Sequence, residues 1–463
     1  MYEAMKKIFF LSLALSVSIF SIAQAISERL KDAYQKFESD SQLTNATASL
    51  YVINANTGEV VFDKNSRVGL ATASTLKIIT AATAFELLGR DFRYETKFGY
   101  SGYIKGHLLY GNLFIQPSGD PTLGSWRYKS STDTFLLNDL FSAIKKINIS
   151  AYGSFMIDKK GWESETIPDG WIWQDIGNYY GAGATKFNWR ENQFDIVMKS
   201  GKNIGDPVAI VTTKPKLETI LIGCSVTSAA KGSGDNSYVY YPLNTSLAIV
   251  RGTIPINENS FTISAANPTP QEEFESTFTH QLEQKFKMKK IYVDGISSDT
   301  TFIYSHYSPS LDSIVYWFLK RSINLYGEAL AKTIAYQKTG FGDTEKGVQI
   351  IKNFWKEKGI APTELNIVDG SGLSPLNRVT THAQVMVLKY AKSQPWFNGY
   401  YDAYPEYNGM KMKSGTIRDV KGFCGYQKSK DGNEYIFSFL VNNYNGPAST
   451  LIQKMYKVLD ELK

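Results

Sequence analysis

Ser74 and Lys77 stand three residues apart in Ser74-Thr75-Leu76-Lys77. A serine hydroxyl attacks a carbonyl only when a base takes its proton. A lysine serves as that base if burial or a neighbouring positive charge keeps it neutral part of the time. If the serine opens a helix, a lysine three residues on lies on the same face, one turn away. The helix start then offers free N–H groups and positive potential to a developing oxyanion. S-x-x-K is weak evidence by itself, since Ser142/Lys145 and Ser228/Lys231 match it too. Ser142 falls midway through an apparent helix, and Ser228 in a Gly/Ser-rich stretch. Ser74 precedes a run, Thr75 to Leu88, with Ala, Leu and Ile at helical spacing and Gly89 to end it. A lone Ser74 reads as a helix N-cap.

Two clusters downstream change that reading. Ser322-Ile323-Asn324 is the single Ser-x-Asn of the chain and sits at the joint between two apparent helices. Lys413-Ser414-Gly415-Thr416 runs into the terminal strands. The same K-[ST]-G pattern recurs at Lys199-Ser200-Gly201 and Lys338-Thr339-Gly340, but only Lys413 leads into a strand pair and so along a sheet edge.

Periodicity gives the elements that carry these groups. Ala48 to Phe62 reads as two strands about an Asn56-Thr57-Gly58 turn. From about Phe92 to Val293 alternating Tyr, Phe and Val lie among Gly, Asn, Thr and Ser, which predicts mostly strands and turns. Helical patterning returns at Ser308 in SLDSIVYWFLKRS, NLYGEALAKTIAYQ, EKGVQIIKNFWKEKG and THAQVMVLKYAKS. The end reads strand, strand, helix. The expectation is an α+β domain in two parts, 26–91 and 294–463, split by a β-rich insertion over 92–293.

Composition removes several classes. The chain has 463 residues, 43% hydrophobic and 20% charged, with a net charge of +6. So thin an excess gives no support for nucleic-acid binding. Two cysteines, Cys224 and Cys424, exclude a disulfide-rich scaffold and multi-cysteine metal sites. His107, His280, His306 and His382 include no HxxxH pair, so the common zinc-hydrolase helix is absent. Neither metal nor organic cofactor is expected. Residues 1–25 read as a secretory signal: Lys6 and Lys7, an apolar run to Ile22, then Ala23-Gln24-Ala25. No second stretch is apolar enough to span a membrane. The expected destination is the periplasm or the medium, without a transmembrane anchor after cleavage. There a bridge between Cys224 and Cys424 stays open as an alternative.

S-x-x-K, then S-x-N, then K-[ST]-G, in that order, resembles the signature set of penicillin-interacting acyl-serine enzymes. KRSINLYGEALAK, DGSGLSPLN, MKSGTIRDVKGFCGY, PSGDPTL and WIWQDIGNYYGAGA extend the resemblance to the low-molecular-mass class C penicillin-binding proteins. These are the D-alanyl-D-alanine carboxypeptidase/endopeptidases of the penicillin-binding protein 4 type. The resemblance covers about residues 30 to 460 and is loosest in the middle. It implies a transpeptidase/β-lactamase-like domain with an antiparallel sheet, carrying inserted domains nested one in the other. It implies peptidoglycan stem peptides as substrates and β-lactams as inhibitors. Two positions depart from the wider pattern: Ser414 stands where Thr is usual, and Ile323 where Asp is common.

The residues then take roles. Ser74 is the nucleophile and Lys77 its base. Ser322 passes a proton to the leaving amine, and Asn324 orients Lys77 or the substrate amide. Lys413 keeps Lys77 neutral and draws a terminal carboxylate, with the hydroxyls of Ser414 and Thr416, and Gly415 belongs to the same candidate substrate-binding run. The backbone N–H groups of Ser74 and Thr416 form the oxyanion site. Trp171, Asp175 and Tyr179 are candidate contacts to the stem peptide, where family members place an acid; either Gln174 or Asp175 holds that position. Tyr326 and Glu328 read as structural. A β-lactamase or esterase on the same fold is the nearest alternative and would turn over a chromogenic β-lactam. A non-catalytic wall-binding scaffold would not be acylated by penicillin.

Overall fold

The hairpin expected near Asn56 forms from Thr47–Asn54 and Val60–Lys64, paired antiparallel. Asn54 Oδ1 accepts the N–H groups of Asn56 and Thr57 at 2.9 and 3.1 Å, and Gly58 supplies the left-handed φ of 77°. This is a computed structural model, and it describes residues 26–217, 220–242, 247–293 and 299–463. The expected export signal, 1–25, lies outside the described residues.

The hairpin is one edge of a six-stranded antiparallel sheet. Glu434–Asn442 pairs with Thr47–Asn54 along its length, followed by Val420–Lys428, Met410–Ile417 and the short Glu406–Tyr407. Alternation sorts its side chains by face. Leu50 and Val52 join Met412, Phe423 and Phe439 on the side covered by a helix over residues 26–38 and by Ala448–Leu459. Tyr51 and Ile53 face the other side, with Lys77–Leu88, Leu311–Lys320, Asn324–Thr339, Thr344–Glu357 and Thr381–Lys392. The chain is thus an α+β protein of the expected transpeptidase-like kind, with helices on both faces of an antiparallel sheet.

The insertion is richer in helix than its texture implied. Among the described residues it builds two four-stranded and two three-stranded sheets, together with the helices Asp133–Ile147 and Pro270–Phe286. Phe274, Phe278 and Leu282, spaced by one helical turn, bury that second helix against Phe141 and Phe155. The two three-stranded sheets share one core, made by Ile196, Val226, Val239, Val250 and Ile263. Their strands, between Gln193 and Ala266, lie inside the sequence span of the four-stranded sheets. Thr300–Tyr307, past the return expected at residue 294, pairs with Glu95–Ser101 of the insertion. We propose Tyr307 as the point where the chain re-enters the frame. Cys424 is buried in the central sheet, Cys224 lies in an insertion strand, and both are free thiols. Among the described residues no helix is long and apolar enough to cross a membrane.

Candidate active site

Ala73–Leu76 forms one tight 3₁₀ turn that runs directly into the helix Lys77–Leu88. Two glycines allow this turn to pack between its neighbours. A side chain at Gly415 would put its Cβ 2.5 Å from the Thr72 carbonyl oxygen and 3.0 Å from the Ser74 nitrogen. A side chain at Gly372 would collide with the Ala73 carbonyl. Ser74 is half-buried and lines a cleft, whereas Lys77 lies wholly buried behind it. The Lys77 ammonium donates to Ser74 Oγ at 2.9 Å, to Asn324 Oδ1 at 2.6 Å and to the Ser371 carbonyl at 2.6 Å. Burial pushes it well below the usual lysine value, and the charge of Lys413 adds to this against Asp369 and Glu328. The competing serines have no such partner. Ser142 donates to the Asn138 carbonyl of its own helix, and Ser228 accepts the Gly201 N–H in a strand.

Ser322 lies between Leu311–Lys320 and Asn324–Thr339 with a left-handed φ of 59°. That conformation is costly for a residue with a side chain and persists only where the surroundings enforce it. Asn324 follows at the helix start, and its amide donates to the Tyr180 carbonyl at 2.7 Å. Lys413 is 1% exposed. Its ammonium donates to Ser322 Oγ at 2.9 Å and to the Ser414 carbonyl at 2.8 Å. Burial lowers it to about 7, with Cys424 opposing and Lys421 assisting. Ser74, Lys77 and Asn324 therefore form one hydrogen-bonded group and Ser322 and Lys413 another, and the chain joins the two at Ser322-Ile323-Asn324.

The cleft encloses about 1050 Å³. Ser74, Ser322, Asn324 and Thr416 line it, but Lys413, Ser414 and Gly415 do not. The frame closes one side through Arg418 and Asp419, and the insertion the other through Arg127 and Gln193. Gln174 and Asp175 both line the wall, as does Tyr179, which is 54% exposed. Burial raises the Asp175 carboxyl, against the Tyr180 hydroxyl that donates to it at 3.3 Å. Trp171 does not reach the cleft. It is buried, and its indole N–H donates to Asp369 at 3.0 Å.

Asp369 is a residue whose position the sequence left open. Its carboxylate also accepts the N–H groups of Gly372 and Ser374 and the amide of Asn377. These bonds shape the loop that aims the Ser371 carbonyl at Lys77. Glu328, one helical turn after Asn324, accepts the Gly370 N–H at 2.9 Å. Burial, then the charge of Asp369, push its carboxyl up to about 8. Its burial limits the counter-charge it offers Lys77. Lys421, also unremarked in the sequence, donates to Thr416 Oγ1 at 2.8 Å. Among the described residues no group of three or more His, Cys, Asp or Glu side chains is placed to hold a metal ion.

The chain is similar to known proteins over nearly all its length. The D-alanyl-D-alanine carboxypeptidase of an Actinomadura strain is 25% identical, over 94% of this chain and 85% of that protein. The D-alanyl-D-alanine carboxypeptidase DacB of Haemophilus influenzae is 25% identical, over 94% of this chain and 92% of that protein. The crystal structure of penicillin binding protein 4 from Haemophilus influenzae has the same fold, with a TM-score of 0.78 at 21% identity, covering 93% of this chain and 98% of that one. The family model described as the D-Ala-D-Ala carboxypeptidase 3 (S13) family matches residues 30–462. The chain belongs to that family and is a serine-type D-Ala-D-Ala carboxypeptidase.

Proposed function

We propose that this enzyme trims peptidoglycan stem peptides, as carboxypeptidase and endopeptidase, through an acyl-Ser74 intermediate that β-lactams trap. The observation that carries the reading is the 2.9 Å contact between Lys77 Nζ and Ser74 Oγ, at an amine pushed toward neutrality. With the amine neutral, the same contact lets Lys77 take the hydroxyl proton as Ser74 Oγ attacks the carbonyl. The oxyanion forms between the backbone N–H groups of Ser74 and Thr416. Ser322, which already accepts from Lys413, passes a proton to the leaving D-alanine or cross-linking amine. Asn324 holds Lys77 in place through the 2.6 Å bond. Water then attacks the acyl-enzyme and frees Ser74.

Asp175 and Tyr179 at the cleft wall suit the side-chain amine of a stem-peptide residue, and Trp171 supports the site from behind through Asp369. The signal-like segment 1–25 supports export, and we place the mature enzyme in the periplasm or outside the cell. Intact mass measurement after exposure to penicillin, followed by peptide mapping, tests the central claim. One added penicillin on Ser74 is the expected result. Label on another serine, or none on the wild type, would overturn the acyl-Ser74 mechanism.

A further inference from the structure

Lys421 is unused by the reaction as described, yet it is held at cost. It is 6% exposed. Its ammonium donates to Thr416 Oγ1 at 2.8 Å and lies 4.7 Å from the centre of the Phe423 ring. Burial pulls it down to about 8 with no carboxylate opposing the shift, so it is still charged at neutral pH. Among the described residues it has one neutral acceptor and no counter-ion, and such a buried cation is among the costlier groups a fold can hold.

Its placement follows from a tight turn. Ile417 pairs with Val420, leaving Arg418-Asp419 as a two-residue connection, with Asp419 at φ 57°. Thr416 and Lys421 are therefore directly opposed across the hairpin, and their side chains share a face. Thr416 is exposed and lines the cleft, with Lys421 buried behind it. A hydroxyl oxygen that accepts from an ammonium keeps its own proton for another acceptor, and the charge polarises that proton. Lys413 is already committed to Ser322 and the Ser414 carbonyl. Arg418, whose side chain is 83% exposed, stands in solvent where screening weakens it.

We propose that Lys421, acting through the Thr416 hydroxyl, is the positioning residue that gives this cleft its preference for substrates ending in a free carboxylate. The inference rests on the reading of the cleft as a D-Ala-D-Ala site. Thr416 makes the contact, and Lys421 supplies the charge that its hydrogen bond carries.

The test compares kcat/KM for a peptide ending in D-Ala-D-Ala with that for the same peptide amidated at its C-terminus. The readout is the acid-to-amide ratio. Lys421→Met should lower this ratio about tenfold, the scale of one charge-assisted hydrogen bond. Thr416→Val should lower it similarly, and the double variant should fall no further than either single one. A merely structural role for Lys421 would depress both peptides alike and leave the ratio where it was. A ratio within twofold of wild type in Lys421→Met overturns the proposal, as does a Lys421→Met effect that persists in full on the Thr416→Val background. If Lys421→Met does not fold, Lys421→Gln, which keeps a donor for Thr416 Oγ1 without the charge, takes its place: an unchanged ratio overturns the proposal. A wild type that cleaves neither peptide sinks the D-Ala-D-Ala reading itself, a result distinct from all of these.

Discussion

Lys413 and Ser322 are joined by a 2.9 Å hydrogen bond from ammonium to hydroxyl, behind the wall of the cleft rather than within it. The K-S-G lysine thus addresses the group assigned to the leaving amine, and its charge reaches Lys77 through a buried, poorly screened region.

Lys413→Ala should therefore reduce turnover of the free-acid and amidated peptides by the same factor, about a hundredfold. Steady-state kinetics on both peptides checks this. A loss confined to the free acid would return the carboxylate-anchoring role to Lys413.

Lys77→Ala should abolish acylation while leaving the fold intact, and Lys77→Arg should fail as well, because a guanidinium stays protonated. In the proposed mechanism the reactive form of Lys77 is the neutral one. The acylation rate should rise with pH through the lysine's folded value, which lies well below that of a free lysine, and then level off. Stopped-flow acylation by a β-lactam across the pH range traces this limb. A rate independent of pH, or an active Arg variant, would remove Lys77 as the base.

Gly415→Ala should destabilise the protein by about 1–3 kcal/mol, as overpacking against rigid backbone does. The added methyl would meet the Thr72 carbonyl and the Ser74 nitrogen, so acylation should slow together with the loss of stability. Urea unfolding and acylation kinetics on one preparation give both numbers. Wild-type values for both would mean that the turn at Ser74 is softer than its packing implies.

Asp369→Asn replaces one carboxylate oxygen by an N–H₂ group, which then faces two donors, either Trp171 and Ser374 or Gly372 and Asn377. The expected cost is about 1–3 kcal/mol. Acylation should weaken too, because the loop no longer holds the Ser371 carbonyl on Lys77. Thermal unfolding with and without a bound β-lactam separates the two effects.

The parts of the site that are local in sequence can be read directly from it. Ser74 and Lys77 are one turn apart, and Ser322 and Asn324 share a helix joint, so spacing alone brings each pair together. Non-local contacts leave no such trace. Nothing in the run KSGT tells how deeply Lys413 lies, and the sheet buries it behind Ser322, which lines the cleft. Trp171 and Asp369 meet across 198 residues, a contact that no periodicity encodes. Lys421 did leave a signal, since a two-residue turn at Arg418-Asp419 sets residues 416 and 421 opposite each other. In the insertion, Phe274, Phe278 and Leu282 carry the helical spacing of Pro270–Phe286, but the surrounding strand-like texture outweighs it.

Thr47–Asn54 and Glu434–Asn442 are neighbours in the central sheet although nearly the whole chain separates them. Order of synthesis then matters. By Tyr307, the proposed point of return, the two four-stranded and two three-stranded sheets have all their strands, while the central sheet still lacks four of its six. The turn bearing Ser74 gains its Gly415 and Gly422 neighbours only when the last hairpin arrives. Chain ends meeting across so long a loop close slowly. Until they do, Ser74 has no lysine-bearing strand beside it, and under the proposed mechanism an unfinished chain holds a serine that cannot yet act.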